Sequence, residues 1–382
     1  MSASASASVP AASTTSPERA VRGLHHLTTV STNAGRSIAW YTGILGLRLV
    51  TRSVDLDDWR SHHLIFATST DGAPGSLLTV IEGPDTKRGN PGVGGTHHIA
   101  FATADRHTLL RWKRWLTGHG QSVEGPYDRT YFTSIYTSDP DGLIIEIATN
   151  GPGWTLDEAP DQLGTEIKPP PFETTAAGRD EPAIIAETWP ERVTEIDDAM
   201  RLEHFHHVTA IGTDQPEMER LWTGILGLRM VKRTLNFDDP TSPHLYWGAG
   251  DATPGTIVTF FVRQDGQRRP ARSGAGVTHH WAIEVPDGSL GYWVDRLTHE
   301  GIQTTPVQDR AAFQRVTFQT QDGMIVELAT TGPGLPTSAG ADPSSVPLWL
   351  PGQLEVERAT IESNLPPLVI PDVASFGTGP TS

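Results

Sequence analysis

The 382-residue sequence contains no cysteine. Disulfides and thiolate metal sites are therefore excluded, and any bound metal must be held by nitrogen and oxygen atoms. Basic residues are also scarce, because 29 Lys and Arg stand against 45 Asp and Glu, a formal net charge of -16. Such a charge repels polyanions at long range, so we expect neither nucleic acid nor a membrane surface as a partner.

Long apolar runs are absent as well. No segment of the sequence reaches the roughly 18 apolar residues of a membrane-spanning helix. Residues 1–20 are small and polar, and they lack the basic and apolar regions of a secretory signal. We predict a cytoplasmic protein in which residues 1–20 form a disordered tail. The remainder can build a substantial core, since 37% of the residues are hydrophobic.

An internal repeat organises the chain. The segment "TGILGLRLVTRSVDLDD" beginning at Thr42 matches "TGILGLRMVKRTLNFDD" beginning at Thr223, an offset of 181 residues, and "DGLIIEIATNGPG" matches "DGMIVELATTGPG". We predict two homologous halves, residues 21–155 and 201–335. A connector rich in proline and charge spans 156–200, and a C-terminal tail over 336–382 is expected to pack on the domains.

Each half divides again into two units. Alternating apolar segments and one amphipathic segment predict a strand, a helix and three short strands in each unit. The fold class is therefore α+β, with four βαβββ modules.

Four pairs of adjacent histidines begin the first strand of the four modules. The pairs are His25 with His26, His97 with His98, His206 with His207, and His279 with His280. Strand alternation predicts that the second histidine of each pair faces an open concavity, whereas the first faces the packed side. The same test places Glu146 and Glu327 on the open face. An alternative interpretation is that the pairs only cap the strand starts.

A carboxylate in mid-strand between large apolar neighbours is costly to bury unless it is paired, protonated or bound to a cation. Two imidazoles and one carboxylate form the facial triad that holds Fe(II) or Mn(II) and leaves coordination positions open. The matched residues of the two halves therefore predict two sets of metal ligands.

The motifs "DRTYFTSIYTSDPDGLIIEIATNGPG", "GLRMVKRTLNFDDPTSPHLYWG" and "TPGTIVTFF" resemble those of hydroquinone- and catechol-cleaving dioxygenases in the vicinal oxygen chelate superfamily. The resemblance covers about residues 21–335 and implies modules that pair into cupped, barrel-like, pseudo-symmetric sheets. In that family the metal is held by a histidine of the first module with a histidine and a glutamate of the fourth.

Residues 97–153 resemble the family's fourth module, and residues 204–262 its first. The resemblance therefore implies a primary triad and a second triad, with modules two and three paired in space. The primary triad is His98, Glu146 and His207, and the second is His26, His280 and Glu327. Pairing within each half stays open, and it would instead join His26 to His98 and Glu146.

The resemblance also implies residues that act on the substrate. The family has a tyrosine ten residues and an arginine seventeen residues before the ligand glutamate, and Tyr136 and Arg129 fill these places for Glu146. Before Glu327, Arg310 is present but Thr317 replaces the tyrosine, so we expect the catalytic centre at Glu146. Tyr136 and His206 are expected to manage protons, His25 being the counterpart of His206. Arg129 is expected to stabilise oxyanion charge.

The expected function is ring cleavage of a dihydroxylated aromatic with O2 by a non-haem Fe(II) enzyme, with Mn(II) as the alternative metal; a homo-oligomer is left open. Two other functions also stay open. A glyoxalase-type isomerase or lyase would use Zn or Ni and a second glutamate, for which Glu82 is the candidate, although Val262 and Arg263 stand there in the second half. A metal-free protein that binds a small molecule such as an antibiotic would not need the matched ligands.

Overall fold

A computed structural model describes residues 16–56, 58–264, 268–338 and 340–377. Most of the predicted disordered tail, residues 1–15, lies outside the described residues. Among the residues that are described, no helix is long and apolar enough to cross a membrane.

The first half contains two modules of one strand, one helix and three strands. Module one consists of β1 (Gly23–Ser31), α1 (Ala34–Gly43), β2 (Arg48–Val54), β3 (His62–Ala67) and β4 (Leu77–Glu82). Module two consists of β5 (Gly95–Thr103), α2 (Arg106–Gly118), β6 (Glu124–Asp128), β7 (Thr133–Ser138) and β8 (Ile144–Thr149). The connector carries one short helix, α3 (Glu181–Ala186).

The second half repeats this order. Module three consists of β9 (Phe205–Gly212), α4 (Gln215–Glu219) with a π-helical turn (Arg220–Ile225), β10 (Arg229–Leu235), β11 (Pro243–Gly248) and β12 (Ile257–Val262). Module four consists of β13 (Thr278–Val285), α5 (Leu290–His299), β14 (Gln308–Asp309), β15 (Gln314–Gln319) and β16 (Ile325–Thr330), and the tail carries α6 (Arg358–Asn364). The predicted βαβββ modules are thus confirmed.

Local sequence signals fix the ends of the helices. The side chain of Asn33 accepts a hydrogen bond from the backbone N–H of Arg36 at the start of α1, and Asp105 does the same for Thr108 in α2. Such side-chain caps satisfy donors that the first turn of a helix leaves free. Gly46 and Gly227, with φ of 67° and 77°, follow α1 and the π-helical turn in the left-handed region that favours glycine.

The modules pair across the two halves. One eight-stranded sheet has the order β14-β15-β16-β13-β1-β4-β3-β2 and joins modules four and one, and the other has the order β10-β11-β12-β9-β5-β8-β7-β6 and joins modules three and two. Antiparallel pairs β1–β13 and β5–β9 form the two junctions. The alternative of pairing within each half is therefore wrong, and the two curled sheets have the predicted vicinal oxygen chelate architecture.

The helices of the four modules share one hydrophobic core. Each helical segment contributes a fully buried tryptophan to it, namely Trp40, Trp112, Trp222 and Trp293. This core holds the two sheets together on their helical sides, and it leaves the opposite, concave face of each sheet for other contacts.

The connector and the C-terminal tail follow equivalent paths. Ile167 forms a parallel bridge with Arg233 of β10, and Leu348 forms one with Arg52 of β2. Both members of the second pair differ from the first by the repeat offset of 181 residues. Each half is therefore followed by a segment that packs along the outer strand of a sheet.

Candidate metal centre

Three side chains from β5, β8 and β9 converge at the centre of one sheet. Nε2 of His98 lies 2.8 Å from Oε2 of Glu146, and Nε2 of His207 lies 3.3 Å from the same oxygen. The two imidazole nitrogens are 3.1 Å apart. All three side chains are buried, and Glu146 has no exposed surface. Atoms this close can bind one metal ion together.

The hydrogen bonding of Glu146 leaves one oxygen available to a cation. The hydroxyl of Ser134, on β7, donates to Oε1. Oε2 meets no hydrogen-bond donor of suitable geometry among the described residues. An unsatisfied buried carboxylate oxygen is costly. Two imidazole nitrogens and one carboxylate oxygen form a donor set for Fe(II), Mn(II) or Zn(II), so these residues fit a divalent metal.

Electrostatics favours the protonation states that a metal needs. Burial alone would raise the pKa of Glu146, but His207 and His98 hold it well below its ordinary value. Burial lowers the pKa of His98, an effect that Glu146 partly opposes. At neutral pH an ionised carboxylate therefore faces a neutral imidazole at His98, and both can act as ligands.

The prediction that the first histidine of each pair faces the packed side is wrong. In β5, Thr96 and His98 lie opposite consecutive residues of β9, so His97 is the extra residue of a β-bulge. Equivalent register shifts occur at His25, His206 and His279. A bulge bends the strand and re-aims the extra side chain, which breaks the simple alternation of faces.

Because of the bulges, both histidines of a pair lie on the concave side. The rings of His206 and His207 contact the same phenyl ring, that of Phe132, at centroid distances of 4.8 and 5.5 Å. Their Nδ1 atoms are 2.9 Å apart, and those of His97 and His98 are 2.8 Å apart. Where Nε2 of a ligand histidine binds a metal, its Nδ1–H donates to the first histidine.

The first histidines are suited to accept these hydrogen bonds. Burial lowers the pKa of His97 and of His206 to about 3, so both rings are neutral at physiological pH. His206 also hydrogen-bonds the main chain of Thr149. With both ring nitrogens engaged, His206 fixes the orientation of His207.

Arg129 and Tyr136 lie beside the primary triad. The ring of Tyr136 is 5.7 Å from that of His98, and the guanidinium of Arg129 is 5.4 Å from the Tyr136 ring centroid. Burial raises the pKa of Tyr136 above its ordinary value, so the phenol remains protonated. An open cavity of about 540 Å³ is lined by both residues together with His97 and Asp238. This cavity is a route for a small molecule toward the triad.

Sequence reasoning missed three polar residues of this site. Ser134 was not singled out, nor were His244 and Tyr246, both on β11. Nδ1 of His244 lies 2.9 Å from the Tyr246 hydroxyl, and its Nε2 lies 3.0 Å from Oγ1 of Thr259. The repeat offset could have found one of them, because His244 corresponds to His63 in "SHHL", and His63 lines the second site.

The second triad is also assembled, in the sheet of modules one and four. Nε2 atoms of His26 and His280 are 3.2 Å apart. They lie 3.8 and 3.7 Å from the oxygens of Glu327, which is fully buried. Burial raises the pKa of Glu327 to about 7, although Arg315 acts to lower it. Nη1 of Arg315 contacts Glu327 Oε2 at 2.6 Å.

Neither site has a second carboxylate at the position that a glyoxalase-type enzyme would use. Glu82 accepts a hydrogen bond of 2.8 Å from the backbone N–H of Ala34 at the start of α1. Its neighbour Ile81 lines the cavity of the second site instead. In the primary site the equivalent of Ile81 is Phe261, whose ring lies 6.3 Å from that of His98. The predicted alternative role of Glu82 as a metal ligand is therefore not supported by its position.

Comparisons with known proteins match both halves of the chain. Residues 23–147 and 204–328 match the family model described as the Glyoxalase/Bleomycin resistance protein/Dioxygenase superfamily. The chain is 26% identical over 349 residues to "Putative ring-cleaving dioxygenase MhqA" of Bacillus subtilis, a match that covers 91% of this chain and 99% of the relative.

Two further similarities are informative. Over 155 residues the chain is 32% identical to the "Chlorohydroquinone/hydroquinone 1,2-dioxygenase" of Sphingobium indicum, which covers 39% of this chain and only 47% of that relative. A crystal structure described as a putative dioxygenase from Bacillus subtilis has a TM-score of 0.70 at 22% identity and covers 93% of this chain and 99% of its own. The latter similarity shows a shared fold.

Proposed function

We propose that this chain, which belongs to the Glyoxalase/Bleomycin resistance protein/Dioxygenase superfamily, is a non-haem Fe(II)-dependent ring-cleaving dioxygenase of the extradiol type. Its substrates would be O2 and a dihydroxylated aromatic, a hydroquinone or a catechol. The observation that carries the proposal is the buried group of His98, His207 and Glu146, in which a carboxylate oxygen without a hydrogen-bond donor faces two imidazole nitrogens. The names of the relatives support an oxygenase enzyme.

Iron held by these three residues would supply open coordination positions for a ring hydroxyl and for O2. Ser134 holds one oxygen of Glu146 and thereby directs the other toward the metal. His97 and His206 hold the ligand imidazoles through their Nδ1 atoms. Such outer hydrogen bonds fix the orientation of ligands and tune their basicity.

Arg129 and Tyr136 would bind and orient the aromatic substrate. Burial would lower the pKa of Arg129, but Tyr136 and Asp238 raise it above its ordinary value, so the guanidinium stays charged. A fixed positive charge beside the site favours the ionised form of a phenolic oxygen. The protonated Tyr136 hydroxyl can donate to the same oxygen or pass it a proton.

His206 contributes differently from the sequence-based expectation. Its contacts with His207 and with the main chain of Thr149 favour a positioning role over proton transfer. The aromatic rings of Phe132 and Phe261, which lie against the ligand histidines, would exclude water from the reacting centre.

The proposal can be tested with protein purified anaerobically and loaded with Fe(II). We expect oxygen uptake with at least one member of a panel of hydroquinones and catechols, and ring-opened products that contain both atoms of 18O2. His98→Ala and His207→Ala should abolish uptake, whereas His299→Ala, at an exposed position, should not.

Other outcomes would favour other functions. No oxygen uptake across the panel by the iron-loaded protein would contradict the proposal. Activity that depends on Zn or Ni and consumes no oxygen would indicate a glyoxalase-type isomerase. Ligand binding that survives His98→Ala without any metal would indicate a binding protein.

A further inference from the structure

The two triads are related by the internal repeat, and one neighbouring residue distinguishes them. His26, Glu327 and Phe313 of the second site follow their counterparts His207, Glu146 and Phe132 by the repeat offset. A threonine contacts the ligand histidine in both, at 3.0 Å between Thr28 and His280 and 2.9 Å between Thr209 and His98. The sites are therefore alike in ligands and in the residues behind them.

The difference lies twelve residues before each ligand glutamate. Ser134 occupies this position in the primary site and Arg315 in the second. The serine hydroxyl is neutral and binds Oε1 of Glu146, so Oε2 remains directed at the imidazoles. The guanidinium of Arg315 instead binds Oε2 of Glu327 at 2.6 Å, and it lies in a buried site where an arginine cannot lose its charge.

Two further observations fix Arg315 in this position. Its Nε donates to Oε1 of Gln308 at 3.0 Å, so the side chain is held at two points. The distances from the carboxylate of Glu327 to the imidazoles are 3.7 and 3.8 Å, compared with 2.8 and 3.3 Å in the primary site. The carboxylate of the second site is thus engaged by the arginine and is withdrawn from the histidines.

We infer that Arg315 takes the place of the metal in the second triad, so that each chain binds one divalent ion, at His98, Glu146 and His207. The guanidinium neutralises the buried Glu327 as a cation would, and it repels a second positive charge at short range. The inference rests on the proposed metal site of the primary triad, but it does not depend on which reaction that metal supports.

Metal stoichiometry tests the inference independently of activity. We would dialyse the full-length protein anaerobically against Fe(II), and separately against Mn(II), and measure bound metal per chain by mass spectrometry. We expect one equivalent in the native protein, lost in His207→Ala and retained in His26→Ala. Arg315→Ser, which reproduces the primary site, should raise the value to two, whereas Arg315→Lys, which retains a positive charge, should leave it at one.

The reverse exchange provides a second test. Ser134→Arg should reduce bound metal to none, with far-UV circular dichroism and thermal melting used to establish that the variant is folded. Two equivalents in the native protein, of which His26→Ala removes one, would overturn the inference. A folded Arg315→Ser that stays at one equivalent would also overturn it. One equivalent that depends on His207, without oxygen uptake on any substrate, would contradict the proposed function and leave this inference standing.

Discussion

At the scale of single residues, the smallest polar group of the primary site has a large expected effect. Ser134 donates its hydroxyl hydrogen to Oε1 of Glu146, a residue with no solvent contact. Outer hydrogen bonds of this kind affect metal affinity by about 10- to 100-fold. The carboxylate of Glu146 is therefore both oriented and satisfied by one hydroxyl.

We predict that Ser134→Ala weakens metal binding by about 10- to 100-fold without unfolding the protein, because Oε1 of Glu146 loses its donor. Ser134→Thr, which keeps the hydroxyl, is the matched control and should retain most of the affinity. Competition with a fluorescent chelator measures the dissociation constant. Equal affinities for the Ala and Thr variants would show that the hydroxyl does not support the ligand.

Tyr136 allows a separation of substrate chemistry from metal binding. Its protonated hydroxyl lies in the primary site but does not belong to the triad, so Tyr136→Phe should leave metal content unchanged. We expect kcat to fall about 100- to 1,000-fold, in the range for loss of one acid or oxyanion donor.

Tyr127 offers the control for Tyr136. Its ring lies 6.1 Å from that of Tyr136, but its hydroxyl donates to Glu181, away from the triad. Tyr127→Phe should therefore change kcat by less than Tyr136→Phe. Steady-state oxygen uptake provides the measurement, and equal losses in the two variants would contradict a specific role of Tyr136.

At the scale of elements, the four β-bulges explain why the site was only partly predictable from sequence. The 181-residue repeat and the position of Glu146 in mid-strand depend on patterns that sequence displays directly, and they led to both triads. Strand alternation assumes an uninterrupted ladder. It therefore misplaced His97, because a bulge depends on the register with a strand more than 100 residues away.

Other features depended on packing between distant segments. The pairing of modules is decided by the junctions β1–β13 and β5–β9, and alternating apolar patterns are equally compatible with either pairing. The role of Arg315 also escaped prediction, because its sequence position looks like an exposed polar residue of a strand. Its contact with Glu327 becomes visible only when β15 and β16 are aligned.

The segment that follows each half gives a prediction about support of the site. Trp154, at the start of the connector, is 9% exposed and packs 5.9 Å from Phe132 and 5.1 Å from Tyr246. Its indole N–H donates to the carbonyl of Ala252 at 3.1 Å. Trp154→Ala should cost about 3–5 kcal/mol in the free energy of unfolding, because it leaves a cavity behind the aromatic layer.

We expect Trp154→Ala also to lower metal affinity, since Phe132 contacts both His206 and His207. Leu156→Ala, at a side chain that is 56% exposed, is the nearby control and should change neither property. Urea unfolding and chelator competition measure the two effects. A loss of stability without any change in affinity would show that the layer does not support the ligands.

At the scale of the whole molecule, buried neutral histidines make stability depend on pH. Burial lowers the pKa to about 4 for His25 and His63 and to about 3 for His97 and His206. The unfolded chain takes up these protons below about pH 6.5, whereas the folded chain does not. This contribution is therefore complete above pH 6.5 and is lost as the pH falls toward 4.

We predict that the metal-free protein loses stability between pH 7.5 and 5, by up to about 1.4 kcal/mol per pH unit for each such histidine. Burial raises the pKa of Asp139 to about 6 and that of Glu327 to about 7, so these two carboxyls act in the opposite direction. Urea unfolding with a chelator present measures the slope. His206→Asn should reduce it and His299→Asn should not; an unchanged slope in His206→Asn would contradict the argument.

The interleaved sheets lead to a prediction about the two halves as separate chains. His98 and Glu146 come from the first half and His207 from the second, and the junctions β5–β9 and β1–β13 both cross between halves. Each half alone would expose the edges of central strands, which favours aggregation or incorrect pairing. We expect that neither residues 16–200 nor residues 201–377 bind Fe(II) stoichiometrically alone.

Mixing the two halves during refolding should restore one metal equivalent per pair, because the junction strands regain their partners. A second half that carries His207→Ala should give none, and a first half that carries His26→Ala should give the full value, since His26 belongs to the other sheet. Size-exclusion chromatography with light scattering and metal analysis measure both assembly and content. Stoichiometric metal in the first half alone, removed by His26→Ala, would instead indicate that its two modules can pair with each other, and that the second half selects between two packings of the same strands.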